Sequence, residues 1–486
     1  MDRYCVTFPL VTEIFQDDIL DKRFEISRKM YNAILSKVYK RYNCMIETKR
    51  YREIKNQIKL SDKKQKVVLY KQLNEIYKEY RLNEYSFHED IKEMQHHFSS
   101  NIDAFTSQKI ATRVWTSLED MLFGDGELVH FKRCGELNSL EGKSNKTGIR
   151  FKDKTLLWNG LIIPVKIDET NPYENQAMQD EICYCRIKRK FIKGKYKYYL
   201  QLILKGTPPI KVNKDGEIKR EIGKGTVGLD IGTQSIAIVS NTDIKLLELA
   251  DGVNNIEKEK RKLLRYMDRS KRANNPNNFN INNTIKHGVK LTWIKSKRYK
   301  KSQNKLKELY RKQADIREYQ HQQMSNYILS LGDKFYIEDM NFKGLQHRSK
   351  KTEKNDKGRF KKTKRFGKSL ANKAPSKLLI LIENKLKFFS KELIRVNTRE
   401  VKASRYNHLN GKYNKKKLSQ RWNDLDGIKV QRDIYSAFLI QHVNDDFSSI
   451  NQNDCNKDFK EFIALHDKEI KRLGSYELAQ ALKNVI

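Results

Sequence analysis

Three apolar segments near the middle of the chain, TVGLDI (226–231), SIAIVS (235–240) and IKLLEL (244–249), are separated by only three residues each, GTQ and NTD. Gaps that short close an antiparallel meander, because a parallel connection needs a dozen residues or more. The first segment carries an aspartate, Asp230, among apolar neighbours and ahead of Gly-Thr-Gln-Ser. Such a carboxylate is either the turn residue of a phosphate-cradling ATPase loop or a metal ligand of a nuclease.

The residues after the meander bear on that choice. Residues 301–331 carry Leu306, Leu309, Tyr310, Ile316, Met324, Tyr327, Ile328 and Leu331 at helical spacing and stop at Gly332. FYIEDMNF (335–342) reads as a short strand with Glu338 near its end, 375–391 as a helix and LIRVN (393–397) as a further strand. RDIYSAFLIQHV (432–443) is a helix opened by Asp433, with Ile434, Ala437 and Phe438 on its docking face. A meander followed by helices and further strands matches an RNase H-like α/β core.

The N-terminal half is organised differently. RYCVTFP (3–9) reads as one strand, and 17–123, with no glycine and no proline, as a helical domain in which 63–81 turns Val67, Leu69, Leu73 and Ile76 toward a core. Short strands then fill 128–209: GIRFKD, TLLWNG, LIIPVKI, and a hairpin of CRIKRKFI and YKYYLQLILKG. With the first strand they predict a small barrel, the helical domain inserted in its first connection. A charged linker, 211–224, leads to the meander.

The chain has 99 basic and 60 acidic residues among 486, a formal charge of +39, which calls for a polyanionic partner, nucleic acid first. No apolar run approaches the roughly 20 residues of a spanning helix, and acidic residues stand where a secretory signal has its apolar core. The expectation is a cytoplasmic, nucleoid-associated protein with no membrane partner. Six scattered cysteines without a CxxC pair write neither a disulfide framework nor a zinc site, and Cys183 and Cys185, on one face of a strand, read as core thiols.

An ATPase of the actin or sugar-kinase kind needs a second glycine-rich phosphate loop and a glycine-rich adenosine site, and this chain contains no Gly-Gly pair. A nuclease needs further carboxylates, and Glu338 and Asp433 supply them. Taken alone, Asp433 is a helix-terminal acid favoured by the helix dipole, Asp230 a turn residue and Glu338 a strand-end acid. Together, in one RNase H-like frame on a chain of this charge, they read as a metal site.

GLDIGTQSIAIV, YIEDMNFKGL and QRDIYSAFL resemble the three RuvC motifs of the TnpB proteins and the related compact type V CRISPR effectors, and LNSLEGKSNKTGIRFK, DRSKRANNPNNFN and KRFGKSLANKAPS are similar to further segments of clostridial-type TnpB proteins. The resemblance implies a bilobed, multi-domain α/β protein, an RNA-guided DNA endonuclease that reads a short adjacent DNA motif and leaves target reading to the guide. It implies a first barrel strand in 1–16, a helical recognition domain in 17–123, a β-barrel wedge domain in 124–222 and a RuvC nuclease domain in 223–397. That domain would include a bridging helix at 256–272 and a basic loop at 348–368, with eleven basic and two acidic residues. The family's four-cysteine zinc ribbon has its counterpart in 398–430, where no cysteine remains, so no zinc is expected and packing around Trp422 replaces it; His408 alone cannot make a tetrahedral site. Residues 431–486 complete the nuclease domain and add a helical tail.

By motif match Asp230, Glu338 and Asp433 are the catalytic carboxylates and ligands of two Mg²⁺ ions, for which Mn²⁺ can substitute. Guide RNA, transposon-derived or CRISPR RNA, and target double-stranded DNA are the expected partners, with one chain per RNA. Candidate nucleic-acid contacts are Arg261, Arg265, Arg269 and Arg272, at a spacing of four, four and three on a helix joining two lobes; Lys146, Arg150 and Lys152, on one face of a strand beside Phe151 and Trp158; and Lys297, Arg298 and Arg365. Tyr51, Lys55 and Gln57 are candidates to read the adjacent motif. Two alternatives remain open: a guided repressor that does not cut, and a transposase with an acidic triad that acts without RNA.

Overall fold

The computed structural model describes residues 3–474 except 125, 214, 347–352, 354–355, 357–365 and 415–419. The chain is a mixed α/β protein of two compact units, 1–211 and 212–486.

The first unit opens with β1 (Arg3–Pro9), whose alternating burial sends Tyr4, Val6 and Phe8 inward. Five helices follow: α1 (Ile14–Glu47), α2 (Lys49–Leu60), α3 (Lys63–Glu79), α4 (Glu84–His97) and α5 (Ala104–Phe123). Asn or Asp side chains cap three of them: Asp62, Asn83 and Asp103 each accept a backbone N–H of the first turn. In α3 Leu73, Ile76 and Tyr77 are buried as their spacing predicts, but Val67 is exposed. Val67 sits close to the tip of the α2–α3 hairpin, at Ser61 and Asp62, where helical periodicity continues beyond the core it serves.

Strands β2 (Ser139–Glu141), β3 (Arg150–Lys152), β4 (Thr155–Trp158) and β5 (Leu161–Pro164), the short helix α6 (Pro172–Ala177), and the long hairpin β6 (Ile182–Ile192) and β7 (Lys195–Lys205) complete the unit. The helices do fall between the first strand and the others. The strands, however, form two sheets, β1-β7-β6-β2 and β3-β4-β5, and no closed barrel among the described residues. Among the described residues one bridge, Leu10 with Val165, joins them; strands of three or four residues are too short to carry a ladder around a closed circuit. A register shift between Ile182 and Tyr184 breaks the alternation expected for the two nearby cysteines, leaving Cys185 buried and Cys183 only half-buried.

The second unit is built on β8 (Thr226–Ile231), β9 (Ser235–Ser240) and β10 (Ile244–Glu248), the expected meander. Helices α7 (Asn254–Ala273) and α8 (Lys297–Ser330) cross to β11 (Lys334–Glu338), which pairs in parallel with β8. Helices α9 (Phe342–Gln346), α10 (Gly367–Lys373) and α11 (Pro375–Leu386) cross to β12 (Leu393–Val396), parallel to β11. The sheet order is therefore β10-β9-β8-β11-β12. After α12 (Thr398–Val401) come two small hairpins, β13 (Tyr406–Asn407) with β14 (Lys412–Tyr413) and β15 (Trp422–Leu425) with β16 (Ile428–Gln431), then α13 (Arg432–Gln441) and α14 (Gln452–Arg472).

Both faces of this sheet are covered. Val227, Leu229, Ile231, Phe335 and Ile337 pack with Ile328 of α8 and Leu378 and Ile382 of α11. On the other face Ala237, Val239 and Tyr336 pack with Ile434, Ala437 and Phe438 of α13. No helix among the described residues is long and apolar enough to cross a membrane.

Candidate active site

Strand alternation places Asp230 and Glu338. Since Val227, Leu229 and Ile231 face one layer, Gly228 and Asp230 face the other; by the same count Tyr336 and Glu338 turn toward α13. The parallel register pairs Leu229 with Ile337, so Asp230 and Glu338 follow side by side at the C-terminal ends of adjacent strands. Outside the carboxyl ends of parallel strands is where α/β sheets keep their sites.

Asp433 arrives from the other layer, in the first turn of α13. The Gln431 side chain caps that helix, accepting the Ile434 N–H at 2.7 Å. α13 lies directly on β8: a Cβ on Gly228 would stand 2.0 Å from the Ala437 carbonyl oxygen. Only glycine permits this approach, and the approach brings the start of α13 to the strand ends.

The three carboxylates sense one another. Burial raises the Asp230 pKa well above the usual carboxylate range, and the charges of Asp433 and then Glu338 push it further, against the Arg432 guanidinium and the Ser436 hydroxyl. Burial pushes Glu338 up to about 7, again opposed by Arg432. The Glu338 Oε1 is buried and has no hydrogen-bond partner. Asp433 is held instead by Gln431 Nε2, 3.4 Å away, and by Arg421, 3.7 Å away. No group of three His, Cys, Asp or Glu among the described residues is close enough to be a preformed metal-ligand set, so the carboxylates stand within electrostatic reach but not in ligating positions.

Two arginines escaped sequence reading. Arg432 tempers both strand carboxylates, and Arg421 pairs with the third; the Arg421 carbonyl accepts the Arg432 N–H at 2.9 Å. Neither carried a signal in the sequence: Arg432 is one basic residue among many beside Asp433, and Arg421 stands twelve positions before it. In the cysteine-free segment His408 is buried against Tyr435, whose hydroxyl is 2.7 Å from Nδ1, and against the Phe459 ring; burial lowers its pKa to about 4, so it is a neutral core residue. Trp422 meets His466 edge to face.

Of the candidate nucleic-acid contacts, Arg261, Arg265 and Arg269 are exposed and Arg272 is half-buried on α7, which belongs entirely to the second unit and packs on α8. Arg261 pairs with Glu257 and Arg272 with Asp268, whereas Arg265 and Arg269 have no ion-pair partner among the described residues. Lys297 and Arg298 are exposed in the first turn of α8. Arg150 and Lys152 are exposed on one face of β3, but Lys146 lies in the preceding turn, since the strand begins only at Arg150. Phe151 and Trp158 offer no stacking surface: both are buried, and the Trp158 indole donates to Asp103 beneath the Arg23 guanidinium. Tyr51 and Lys55 are half-buried and Gln57 exposed on α2. Arg365 and most of the basic loop lie outside the described residues.

No protein-family model and no curated protein sequence matches the chain. Among solved structures it is similar to a Cas12f1–sgRNA–target DNA complex, at 11% identity and a TM-score of 0.39 over 92% of this chain and 99% of that one. It is also similar to a CRISPR-Cas12f ternary complex, at 12% identity and a TM-score of 0.26 over 87% and 81%. The three motifs singled out in the sequence fall at the strand end of Asp230, the strand end of Glu338 and the helix start of Asp433.

Proposed function

We propose that this chain is an RNA-guided DNA endonuclease whose second unit is a RuvC-type, RNase H-like nuclease domain with Asp230, Glu338 and Asp433 as its catalytic carboxylates. The observation that carries the reading is the pair Asp230 and Glu338, side by side on parallel strands with one Glu338 oxygen buried and unpartnered. A buried carboxylate without a donor costs several kcal/mol, and a cation removes that cost. The donor set is all oxygen, which suits Mg²⁺, with Mn²⁺ as substitute.

Asp230, Glu338 and Asp433 would hold such ions. When bound, the ions supply an activated water and stabilise the leaving 3′ oxygen of a phosphodiester. The chain's own part is to hold three carboxylates on two rigid strands and a capped helix, while Arg432 and Arg421 offset their charge.

A guide RNA and target double-stranded DNA are the proposed partners, one chain per RNA, in the cytoplasm. The formal charge of +39 and the motif resemblance support them. The exposed arginines of α7, Lys297 and Arg298 on α8, and Arg150 and Lys152 on β3 are proposed to meet phosphates. The test is cleavage of a guide-matched duplex in Mg²⁺: Asp230→Asn and Glu338→Gln should each abolish cutting while RNA and DNA binding persist. Undiminished cleavage by the Asp230→Asn protein overturns the assignment.

A further inference from the structure

Helix α14 lies beyond the last of the three carboxylate motifs, yet one face of it is buried: Cys455, Phe462, His466 and Glu469. Phe462 stacks on Phe438 of α13, their ring centres 4.2 Å apart. The buried Glu469 carboxylate accepts the Leu246 N–H of the edge strand β10 at 2.8 Å and pairs with Arg472. An outward-facing amide of an edge strand bound in this way fixes the helix to the sheet.

His466 stands three residues before Glu469 on the same face and is 1% exposed. Its Nε2 accepts the backbone N–H of Gln431 at 3.0 Å. An amide N–H only donates, so Nε2 carries no proton; the proton sits on Nδ1 and is donated to the Asp467 carboxylate at 3.0 Å. Burial lowers the pKa of the ring against the opposing pull of Asp467, so the ring stays neutral and Nε2 stays an acceptor. Trp422 and Phe462 flank it.

Strand β15 offers the Gln431 N–H no acceptor. Gln431 faces Trp422 in the hairpin register, and the bond of the adjoining pair runs from the Arg432 N–H to the Arg421 carbonyl. Bonded and non-bonded pairs alternate along an antiparallel ladder, so the Gln431 N–H points away from β15. Gln431 is 5% exposed, and an amide left without an acceptor there is costly. The Gln431 side chain has two tasks of its own: Oε1 accepts the Ile434 N–H at 2.7 Å and Nε2 donates to Asp433 Oδ2 at 3.4 Å. His466 therefore fixes the residue that both caps α13 and holds Asp433.

We propose that His466 is a positioning residue for Asp433, acting through Gln431, with α14 as the strut that ties the start of α13 to the edge of the sheet. The proposal rests on the reading of Asp433 as a metal ligand. The test compares His466→Gln with His466→Asn in the full chain, because a Gln amide oxygen reaches the place of Nε2 and an Asn one only that of Nδ1. Mn²⁺ binding to the RNA-free protein is read from the loss of the free-ion EPR signal, and guided cleavage from its half-saturating Mg²⁺. His466→Asn should weaken both by about ten-fold, and His466→Gln should recover most of the loss. In a Gln431→Ala background, His466→Asn should add less than about two-fold, because the path to Asp433 is already cut. A loss that multiplies in that background, or equal impairment of the Asn and Gln variants, marks a merely structural histidine and overturns the proposal. Mn²⁺ binding that Asp433→Asn weakens and His466→Asn leaves unchanged also overturns it, with the metal site intact. Binding unchanged by Asp433→Asn overturns the metal-site reading and the proposal with it.

Discussion

Gly228 sets the distance on which the candidate site depends. With the Ala437 carbonyl oxygen 2.0 Å from the position of an added Cβ, Gly228→Ala has to push α13 off the sheet or bend the strand. The expected loss is about 3 kcal/mol or more, read by urea denaturation, and cleavage should fall further than stability does because Asp433 moves with the helix. Glu338 makes a second residue-scale prediction. Its folded pKa of about 7 lies above its ordinary 4.5, so between those values the folded state binds more protons than the unfolded one. Stability without divalent ions should therefore fall as pH rises from about 4.5 to 7, and stay low above that. Thermal denaturation in EDTA reads the slope, and Glu338→Gln should flatten it. The three acids were legible in the sequence because a carboxylate inside an apolar run is conspicuous; Arg421 and Arg432 were not, because two arginines among 99 basic residues carry no signal until the fold sets them beside Asp433.

At the scale of elements, periodicity held wherever an element was long. The meander, α8 and the β6–β7 hairpin follow the predicted spans closely, whereas the strand predicted over 335–342 ends at Glu338 and Phe342 opens α9. It failed at short pieces and edges. A three-residue β3 cannot present Lys146 on its face, Trp158 was judged by residue type rather than by burial, and α3 carries valines past the point where a core exists to receive them. On α7 the sequence showed four arginines at helical spacing but not which are committed to neighbours. Arg261 and Arg272 are paired along the helix with Glu257 and Asp268, while Arg265 is exposed without such a pair among the described residues. Arg265→Ala should therefore lower the salt dependence of RNA binding by about one unit of slope, and Arg261→Ala by less, since its charge is already offset. An unchanged slope for Arg265→Ala assigns that face to solvent.

For the molecule as a whole, charge is the property that most needs a partner. The formal +39 sits on a chain whose two units each have their own core, so the excess is not consumed in building the fold. Self-repulsion on that scale is relieved by a polyanion, and the protein should leave the cell with one bound. Expressed together with its native flanking DNA and purified at moderate salt, it should retain a discrete RNA with a constant structured part and a separable guide segment, identified by sequencing what stays bound. The origin of the guide, a transposon end or a CRISPR array, then separates two relatives that share all three carboxylate motifs. A heterogeneous cellular RNA stripped by salt, with specific binding to DNA ends alone, would move the acidic triad into a transposase, because the same carboxylates serve strand transfer as readily as guided cutting and only the retained nucleic acid distinguishes the two.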